Sequence, residues 1–185
     1  MHLLEVLREE CGIISAKNGC APEGACGCCL VTIDGTPALS CLRKPEQTEG
    51  RNVVTLEGLP EDVRKRMGEA FVLEGGVQCG FCIPGIVVRA ASLIEQGKTG
   101  DRAAVAKALD GHLCRCTGYG RILDSIQTAG EAAGGNQSAE ILLIQLKQKM
   151  GVLPAGAPVN NKALGAGAQL QEEDALDVEI HDENK

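Results

Sequence analysis

Residues 20–29 of the chain read Cys-Ala-Pro-Glu-Gly-Ala-Cys-Gly-Cys-Cys, and Cys41 follows after eleven further residues. Cys26 and Cys29 are two residues apart, a separation at which two thiolates on a tight loop can bind one metal centre. Glycine takes positive φ without steric cost, so the two glycines of the run let backbone N–H groups turn toward the sulfurs. The sequence therefore predicts a metal-binding loop, which Cys41 fixes to the rest of the fold.

A second group of cysteines lies further along the chain. Cys79-x2-Cys82 is followed by 31 residues and then by Cys114-x-Cys116. Each group thus offers four thiolates, the number required by a [2Fe–2S] cluster or by a tetrahedral zinc ion. The first group matches the plant-type ferredoxin spacing C-x4-C-x2-C except for one extra residue, and this near match favours an iron–sulfur cluster. Two cysteine pairs are also typical of a structural zinc site.

The composition limits the classes of function. The formal net charge is −7, and an acidic balance argues against a nucleic-acid partner, which usually presents a basic patch. No apolar run approaches the roughly 18 residues that a membrane span needs, so we expect no transmembrane segment. Ten cysteines without a recognisable secretory signal favour metal binding over structural disulfides and a cytoplasmic location.

The first group of cysteines belongs to a predicted module over residues 1–58 that is mostly β. Leu3, Leu7 and Cys11 recur at helical spacing, which predicts a short helix with Cys11 packed as a small hydrophobe. Strands are predicted over 30–33, 38–42 and 53–56, with a hairpin at Asp34-Gly35.

The second group belongs to a predicted helical module over residues 59–133. Pro60 stands at a first helical position, and Glu61 and Asp62 suit the positive end of the helix dipole. Helices are predicted at about 60–75, 84–96, 101–110 and 119–133, and four short helices with short loops make a bundle. Residues 134–185 are predicted to be a linker or docking tail, because their charge is acidic and their periodicity weak.

Two sets of motifs resemble the xanthine dehydrogenase and aldehyde oxidoreductase family, the molybdenum hydroxylases. The ferredoxin-like domain of that family is similar to Leu3-Leu4-Glu5-Val6-Leu7-Arg8-Glu9, Gly19-Cys20, Gly24-Ala25-Cys26-Gly27-Cys28-Cys29 and Ser40-Cys41-Leu42. Its helical [2Fe–2S] domain is similar to Gln78-Cys79-Gly80-Phe81-Cys82-Ile83-Pro84-Gly85 and Cys114-Arg115-Cys116-Thr117-Gly118-Tyr119. The resemblance covers about residues 3–133. It implies an α+β chain in which a plant-ferredoxin-like β-grasp module precedes an all-α four-helix-bundle [2Fe–2S] module.

The chain departs from the family pattern in two ways. Family members usually carry a β-hairpin before the first helix, and we expect that hairpin to be absent. One extra residue separates Cys20 from Cys26, and Cys28 stands where most members have alanine or a similar residue. The pattern of residues 20–29 looks most like the branch of selenium-dependent xanthine dehydrogenases.

The resemblance implies an electron-transfer subunit without catalytic residues of its own. A large partner subunit would carry a molybdopterin centre, and single electrons would pass through two [2Fe–2S] clusters to FAD, usually on another subunit. The implied ligands are Cys79, Cys82, Cys114 and Cys116 for the cluster near molybdenum, and Cys20, Cys26, Cys29 and Cys41 for the distal one. Gln78 and Cys116 would contact the pterin.

Several alternatives stay open. The C-x2-C template selects Cys26 and Cys29 as ligands and leaves Cys28 free, whereas pairing Cys26 with Cys28 would fit less well. Gln78 is also compatible with a loop-capping amide, and His112 is expected at the surface. The chain as a whole is also compatible with a stand-alone two-cluster ferredoxin that serves other redox enzymes, or with a zinc-stabilised interaction module.

Overall fold

A tight hairpin organises the first part of the molecule. Asp34 and Gly35 both have positive φ, 50° and 77°, as a two-residue type I′ turn requires. Strand β1 (Leu30–Ile33) therefore folds back antiparallel onto β2 (Thr36–Leu39). Strand β3 (Val53–Val54) pairs antiparallel with the other edge of β1, which gives the sheet order β2-β1-β3.

The computed structural model describes residues 1–134 and, beyond them, residues 144 and 148. The predicted tail therefore lies almost wholly outside the described residues. Over residues 1–134 the chain combines a small antiparallel sheet with helices, so its class is α+β.

The helices follow the predicted positions closely. Helix α1 (Leu3–Glu5) continues into a π-helical turn (Val6–Glu10). The later helices begin and end within two residues of the predicted bounds. They are α2 (Glu61–Leu73), α3 (Ile83–Glu95), α4 (Arg102–Ala108) and α5 (Tyr119–Gly134). Short 3-10 turns occupy Ser40–Leu42 and Pro45–Thr48.

Local sequence explains where these helices start. Glu61 and Asp62 lie in the first turn of α2, where their charges suit the helix dipole. Asp101 caps α4, since its side chain accepts a hydrogen bond from the Ala103 N–H at 2.9 Å. The acidic start of α2 was visible in the sequence, whereas Asp101, predicted as the first residue of its helix, caps that helix instead.

The core joins the sheet to the helices. Strand β1 is buried on both faces. One face packs with Leu3 and Leu7 of the opening helical segment, and the other contributes to the main core. That core takes a residue from β1 and from each of the four later helices: Leu30, Met67, Ile86, Val105 and Ile122. Because α3 packs directly against β1, the loops that precede these two elements are brought together.

Three local predictions were wrong. Cys11 is exposed rather than packed, because the π-helical turn, in which the Cys11 N–H donates to the Val6 carbonyl, rotates residue 11 away from the buried stripe. The returning strand ends at Leu39 rather than at residue 42, since the chain turns into Ser40–Leu42. The third strand is also shorter than predicted and ends at Val54.

Candidate metal centres

The first cysteine set is built onto the hairpin. Cys29 directly precedes β1, and Cys41 lies in the turn directly after β2. Ser40 holds the end of β2 against the start of β1, because its N–H and its hydroxyl both donate to the Cys29 carbonyl, at 3.2 and 2.8 Å. The thiols of Cys29 and Cys41 consequently lie within hydrogen-bonding distance of each other.

The loop before β1 supplies the other half of this set. The Cys20 and Cys26 thiols also lie within hydrogen-bonding distance of each other. Cys26, Cys29 and Cys41 are buried, and Cys20 is half-buried. We call these four residues the hairpin set.

The second cysteine set lies at the starts of two helices. Cys79 and Cys82 precede α3, and Cys114 and Cys116 precede α5. The Cys116 and Cys79 sulfurs are 3.4 Å apart, and the Cys82 thiol lies within hydrogen-bonding distance of Cys114. Cys79 and Cys116 are exposed, whereas Cys82 is buried. We call these four residues the helical set.

The thiols of the helical set lie close together, since Cys116 is within hydrogen-bonding distance of both Cys79 and Cys114. Over the described residues, no group of three or more His, Cys, Asp or Glu side chains converges closely enough to hold a single metal ion. A [2Fe–2S] cluster divides its four thiolates between two irons. The four thiols of each set therefore have the donor chemistry that a two-iron cluster requires.

The hairpin set contains thiols with opposite acidities. Burial acts to raise the pKa of the Cys20 thiol, but hydrogen bonds from the backbone of Ala25 and Glu23 outweigh it and lower that pKa to about 7. Burial raises the pKa of Cys41 to about 12, and the neighbouring Cys29 thiol adds to the effect. A metal that binds here must displace a proton from Cys41, while Cys20 is ready to act as a thiolate.

The helical set shows the same contrast. Hydrogen bonds from the Cys79 backbone and the Thr117 hydroxyl lower the pKa of the Cys116 thiol to about 6. The pKa of Cys114 is also lowered, since backbone hydrogen bonds from the loop outweigh its burial. Burial raises the pKa of Cys82 to about 12. The exposed edge of this set is thus the part that most readily carries negative charge.

The loops that carry the two sets interlock. The Leu113 N–H, next to Cys114, donates to the Cys26 carbonyl at 3.0 Å. Gly27 has φ +71°, and a Cβ there would lie 2.6 Å from the Gly111 carbonyl oxygen. A Cβ on Gly85 would collide with the Gly27 carbonyl oxygen. Because the backbones approach this closely, only glycine fits at residues 27 and 85.

His112 lies inside this contact, contrary to the prediction of a surface residue. Its side chain is 3 % exposed, because its ring packs against Gly27. Neither ring nitrogen has a hydrogen-bond partner within the described part of the chain. Burial lowers the pKa of His112 to about 4, and the charge of Arg89 acts in the same direction. The imidazole is thus a neutral packing group between the two sets.

Tyr119 and Gln78 support the helical set. The Tyr119 hydroxyl donates to the His112 carbonyl at 2.6 Å and accepts from the Cys114 N–H at 3.1 Å. Nothing in the sequence predicted these two hydrogen bonds of Tyr119. The Gln78 amide is exposed and donates to the Cys116 carbonyl at 3.2 Å, the geometry of a loop-capping group.

Cys28 stands apart from both sets. It is buried, and its thiol lies 3.5 Å from the Cys26 carbonyl. Burial raises the pKa of the Cys28 thiol to about 12, and the charges of Cys26 and Cys82 add to this. Its contact with the Cys26 carbonyl makes the thiol a hydrogen-bond donor at this point of the loop.

Comparison with known proteins agrees with this geometry. Residues 55–127 match a family described as "[2Fe-2S] binding domain". The chain is 38 % identical over 131 residues to the nicotinate dehydrogenase small FeS subunit of Eubacterium barkeri, a match covering 70 % of this chain and 83 % of the relative. It is 37 % identical over 127 residues to the xanthine dehydrogenase iron-sulfur-binding subunit of Escherichia coli O157:H7, covering 67 % and 79 %.

The chain belongs to the iron–sulfur subunits of the xanthine dehydrogenase and aldehyde oxidoreductase family. The family predicted from the motifs is therefore confirmed, and the chain is a subunit of an oxidoreductase. A crystal structure of quinoline 2-oxidoreductase from Pseudomonas putida 86 shares its fold with a TM-score of 0.68 and 38 % identity, covering 74 % of this chain and 86 % of that one. Among the described helices, none is long and apolar enough to cross a membrane.

Proposed function

We propose that this chain is the electron-transfer subunit of a molybdenum hydroxylase. It would carry two [2Fe–2S] clusters between a molybdopterin centre on a large partner subunit and FAD, or another acceptor, on a further partner. The observation that carries the proposal is the contact between the loops of two four-cysteine sets, through the hydrogen bond from the Leu113 N–H to the Cys26 carbonyl. Substrate chemistry would take place on the partner that holds molybdenum.

The proposed ligands are the eight cysteines of the two sets. Cys20, Cys26, Cys29 and Cys41 would hold one cluster, and Cys79, Cys82, Cys114 and Cys116 the other. When bound, each cluster supplies a site that takes up and releases one electron. The protein's own contribution is to hold the thiolates, to shield three of the hairpin-set sulfurs from water, and to direct backbone N–H groups at the more acidic ones.

The contact between the loops supports electron exchange between the two sets. Cys26 belongs to the hairpin set and Cys114 to the helical set, and one hydrogen bond between the Cys26 carbonyl and the Leu113 N–H links their backbones. Cys26, at one end of this link, is buried, whereas Leu113, at the other end, is 58 % exposed. The chain thus offers a direct backbone connection between the two sets.

The exposed edge of the helical set is the proposed docking face for the molybdopterin subunit. Cys79, Cys116 and Gln78 are exposed there. Phe81 and Leu113, next to ligands of this set, are 44 % and 58 % exposed, and exposed large apolar side chains mark protein–protein contacts when they cluster. In this position Gln78 and Cys116 would contact the pterin, with the Gln78 amide held by the Cys116 carbonyl.

The proposal includes the finer domain organisation. A ferredoxin-like β-grasp module would cover residues 1–58, a four-helix-bundle [2Fe–2S] module residues 59–133, and a linker or docking tail residues 134–185. The three strands come first along the chain and helices α2–α5 follow them, which supports the order of the two modules. A cytoplasmic location fits eight ligand cysteines that must stay reduced to bind metal.

Metal analysis and electron paramagnetic resonance of the purified full chain test this function. We expect about four iron atoms per chain and two distinct S = 1/2 signals after reduction, as two [2Fe–2S] clusters require. A colourless protein with two zinc ions would refute the proposal. Co-purification of a molybdenum-containing subunit is expected as well, and an iron-loaded chain that never associates with one would favour the stand-alone ferredoxin instead.

A further inference from the structure

Cys28 is the buried thiol that neither four-cysteine set uses. Its side chain is 3 % exposed, and it lies in the hairpin-set loop between Cys26 and Cys29. A Cβ on Gly19 would lie 2.9 Å from the Cys26 sulfur and 3.4 Å from the Cys28 sulfur, so both sulfurs border the same small space.

The surroundings of Cys28 connect it to both sets. Its thiol lies 3.5 Å from the Cys26 carbonyl, the same oxygen that accepts the hydrogen bond from the Leu113 N–H. Its Cα lies under Gly85, near the start of α3, where a Cβ would be only 3.3 Å away. Cys28 thus occupies the point where the hairpin-set loop meets the loops of the helical set.

His112 gives this point a second unusual feature. Its buried imidazole packs against Gly27, directly before Cys28, and neither of its nitrogens has a partner among the described residues. Cys28 and His112 are each 3 % exposed, so water has little access to the Cys28 thiol. In such a low-dielectric site a single hydrogen-bond donor acts more strongly than it would in water.

We propose that Cys28 is a positioning residue that raises the reduction potential of the cluster in the hairpin set and so biases electrons toward it. The proposal rests on the proposed function, because it assumes that both sets bind clusters. Cys28 itself is neither oxidised nor reduced; it donates its S–H to the carbonyl of the ligand residue Cys26, and its sulfur borders the same small space as the Cys26 sulfur. Reduction adds one negative charge to the cluster, and a nearby donor stabilises the more negative state.

Three variants of the iron-loaded full chain test this role. Cys28→Ala removes the donor with little change in volume, and Cys28→Ser keeps a hydroxyl donor in its place. Cys11→Ala is the matched control, since Cys11 is the other cysteine outside the two sets and is exposed. Each protein is titrated with reductant while the two S = 1/2 signals are followed by electron paramagnetic resonance.

The expected order of the hairpin-set potential is Cys28→Ser equal to or above wild type, and Cys28→Ala below both. We expect Cys28→Ala to shift the electron distribution between the clusters by up to about tenfold, which corresponds to about 59 mV for one electron. The helical-set potential should move less, and Cys11→Ala should match wild type in both signals.

Other results overturn the proposal in distinct ways. Unchanged potentials in Cys28→Ala, or equal shifts of both clusters, would remove the assigned role while leaving the two-cluster function intact. Loss of one cluster in both Cys28→Ala and Cys28→Ser would make Cys28 a ligand instead. If the wild-type chain lacks two iron–sulfur signals, the proposed function itself fails. Should Cys28→Ala not retain iron, a Cys28→Ser potential below that of wild type decides against the role.

Discussion

The two cysteine sets each present four thiols, but they are held by different secondary structure. The hairpin set is tied to a two-residue turn and a sheet, and three of its four thiols are buried. The helical set rests on loops before two helices, and two of its thiols reach the surface. The hairpin set is thus largely shielded from solvent, whereas the helical set presents two thiols at the surface, where another molecule could contact them.

The clearest way to test this division is to remove one ligand from each set. We expect Cys29→Ala and Cys79→Ala each to lose a different S = 1/2 signal and to lower the iron content from about four to about two per chain. Iron analysis and electron paramagnetic resonance check this, with Cys11→Ala as the control that keeps both signals. Loss of both signals from Cys79→Ala would show that the two sets do not load independently.

The interlock between the sets can be broken at Gly27. Gly27→Ala forces a side chain into φ +71° and against the Gly111 carbonyl, so we expect a loss of about 3 kcal/mol or more in unfolding free energy. Gly50→Ala is the matched control, because Gly50 has φ +69° but open space around it, and it should cost about 1 kcal/mol. Denaturant unfolding followed by circular dichroism measures both, and equal losses would contradict a tight contact.

A smaller effect is expected from the clamps within each set. Tyr119→Phe removes the hydroxyl that bonds Cys114 and His112, and Ser40→Ala removes the one that bonds the Cys29 carbonyl. Each should cost about 1 kcal/mol of stability. The Tyr119 variant should alter only the resonance signal of the helical set, and the Ser40 variant only that of the hairpin set. A change in the opposite signal would argue against separate supports.

The smallest effect concerns the acid sensitivity of the region around the hairpin set. Burial acts to raise the pKa of Glu57, but hydrogen bonds from the Ser15 and Thr55 hydroxyls, at 2.6 and 2.7 Å, lower it below its usual 4.5. Since the folded-state pKa is the lower one, this stabilisation is present above pH 4.5 and is lost as the pH falls through the folded-state value.

Unfolding measured between pH 6 and 4 checks the role of Glu57. The stability of Glu57→Gln should fall less with decreasing pH than that of wild type. Ser15→Ala keeps the carboxylate but removes one donor, so it should weaken the same pH dependence without abolishing it. Identical pH profiles for all three proteins would assign the acid sensitivity to other groups.

Much of the fold could be predicted because its signals are local. The Asp34-Gly35 turn needs positive φ at both residues, and the structure has it. The helix positions follow from apolar periodicity and from the acidic residues at the start of α2. The spacing divides the cysteines into two groups, and in the second group the structure places the Cys79 and Cys116 sulfurs 3.4 Å apart.

The remaining features depend on contacts between distant segments. Cys11 matched the helical stripe of Leu3 and Leu7, but a π-helical turn shifted its direction. His112 carries a polar side chain in a loop, and only the approach of Gly27 buries it. The Tyr119 clamp reaches back over several residues of a turn. A single sequence shows none of these, because each depends on how two loops meet rather than on the composition of either.

The approach of Gly27 to Gly85 has a consequence for hybrid proteins. A hybrid could join the N-terminal part of one relative, with the hairpin set, to the C-terminal part of another, with the helical set. It would keep every ligand, but the two parts would pack together only if residues 27 and 85 both lacked a side chain. We therefore expect glycine at both positions in every hybrid that folds.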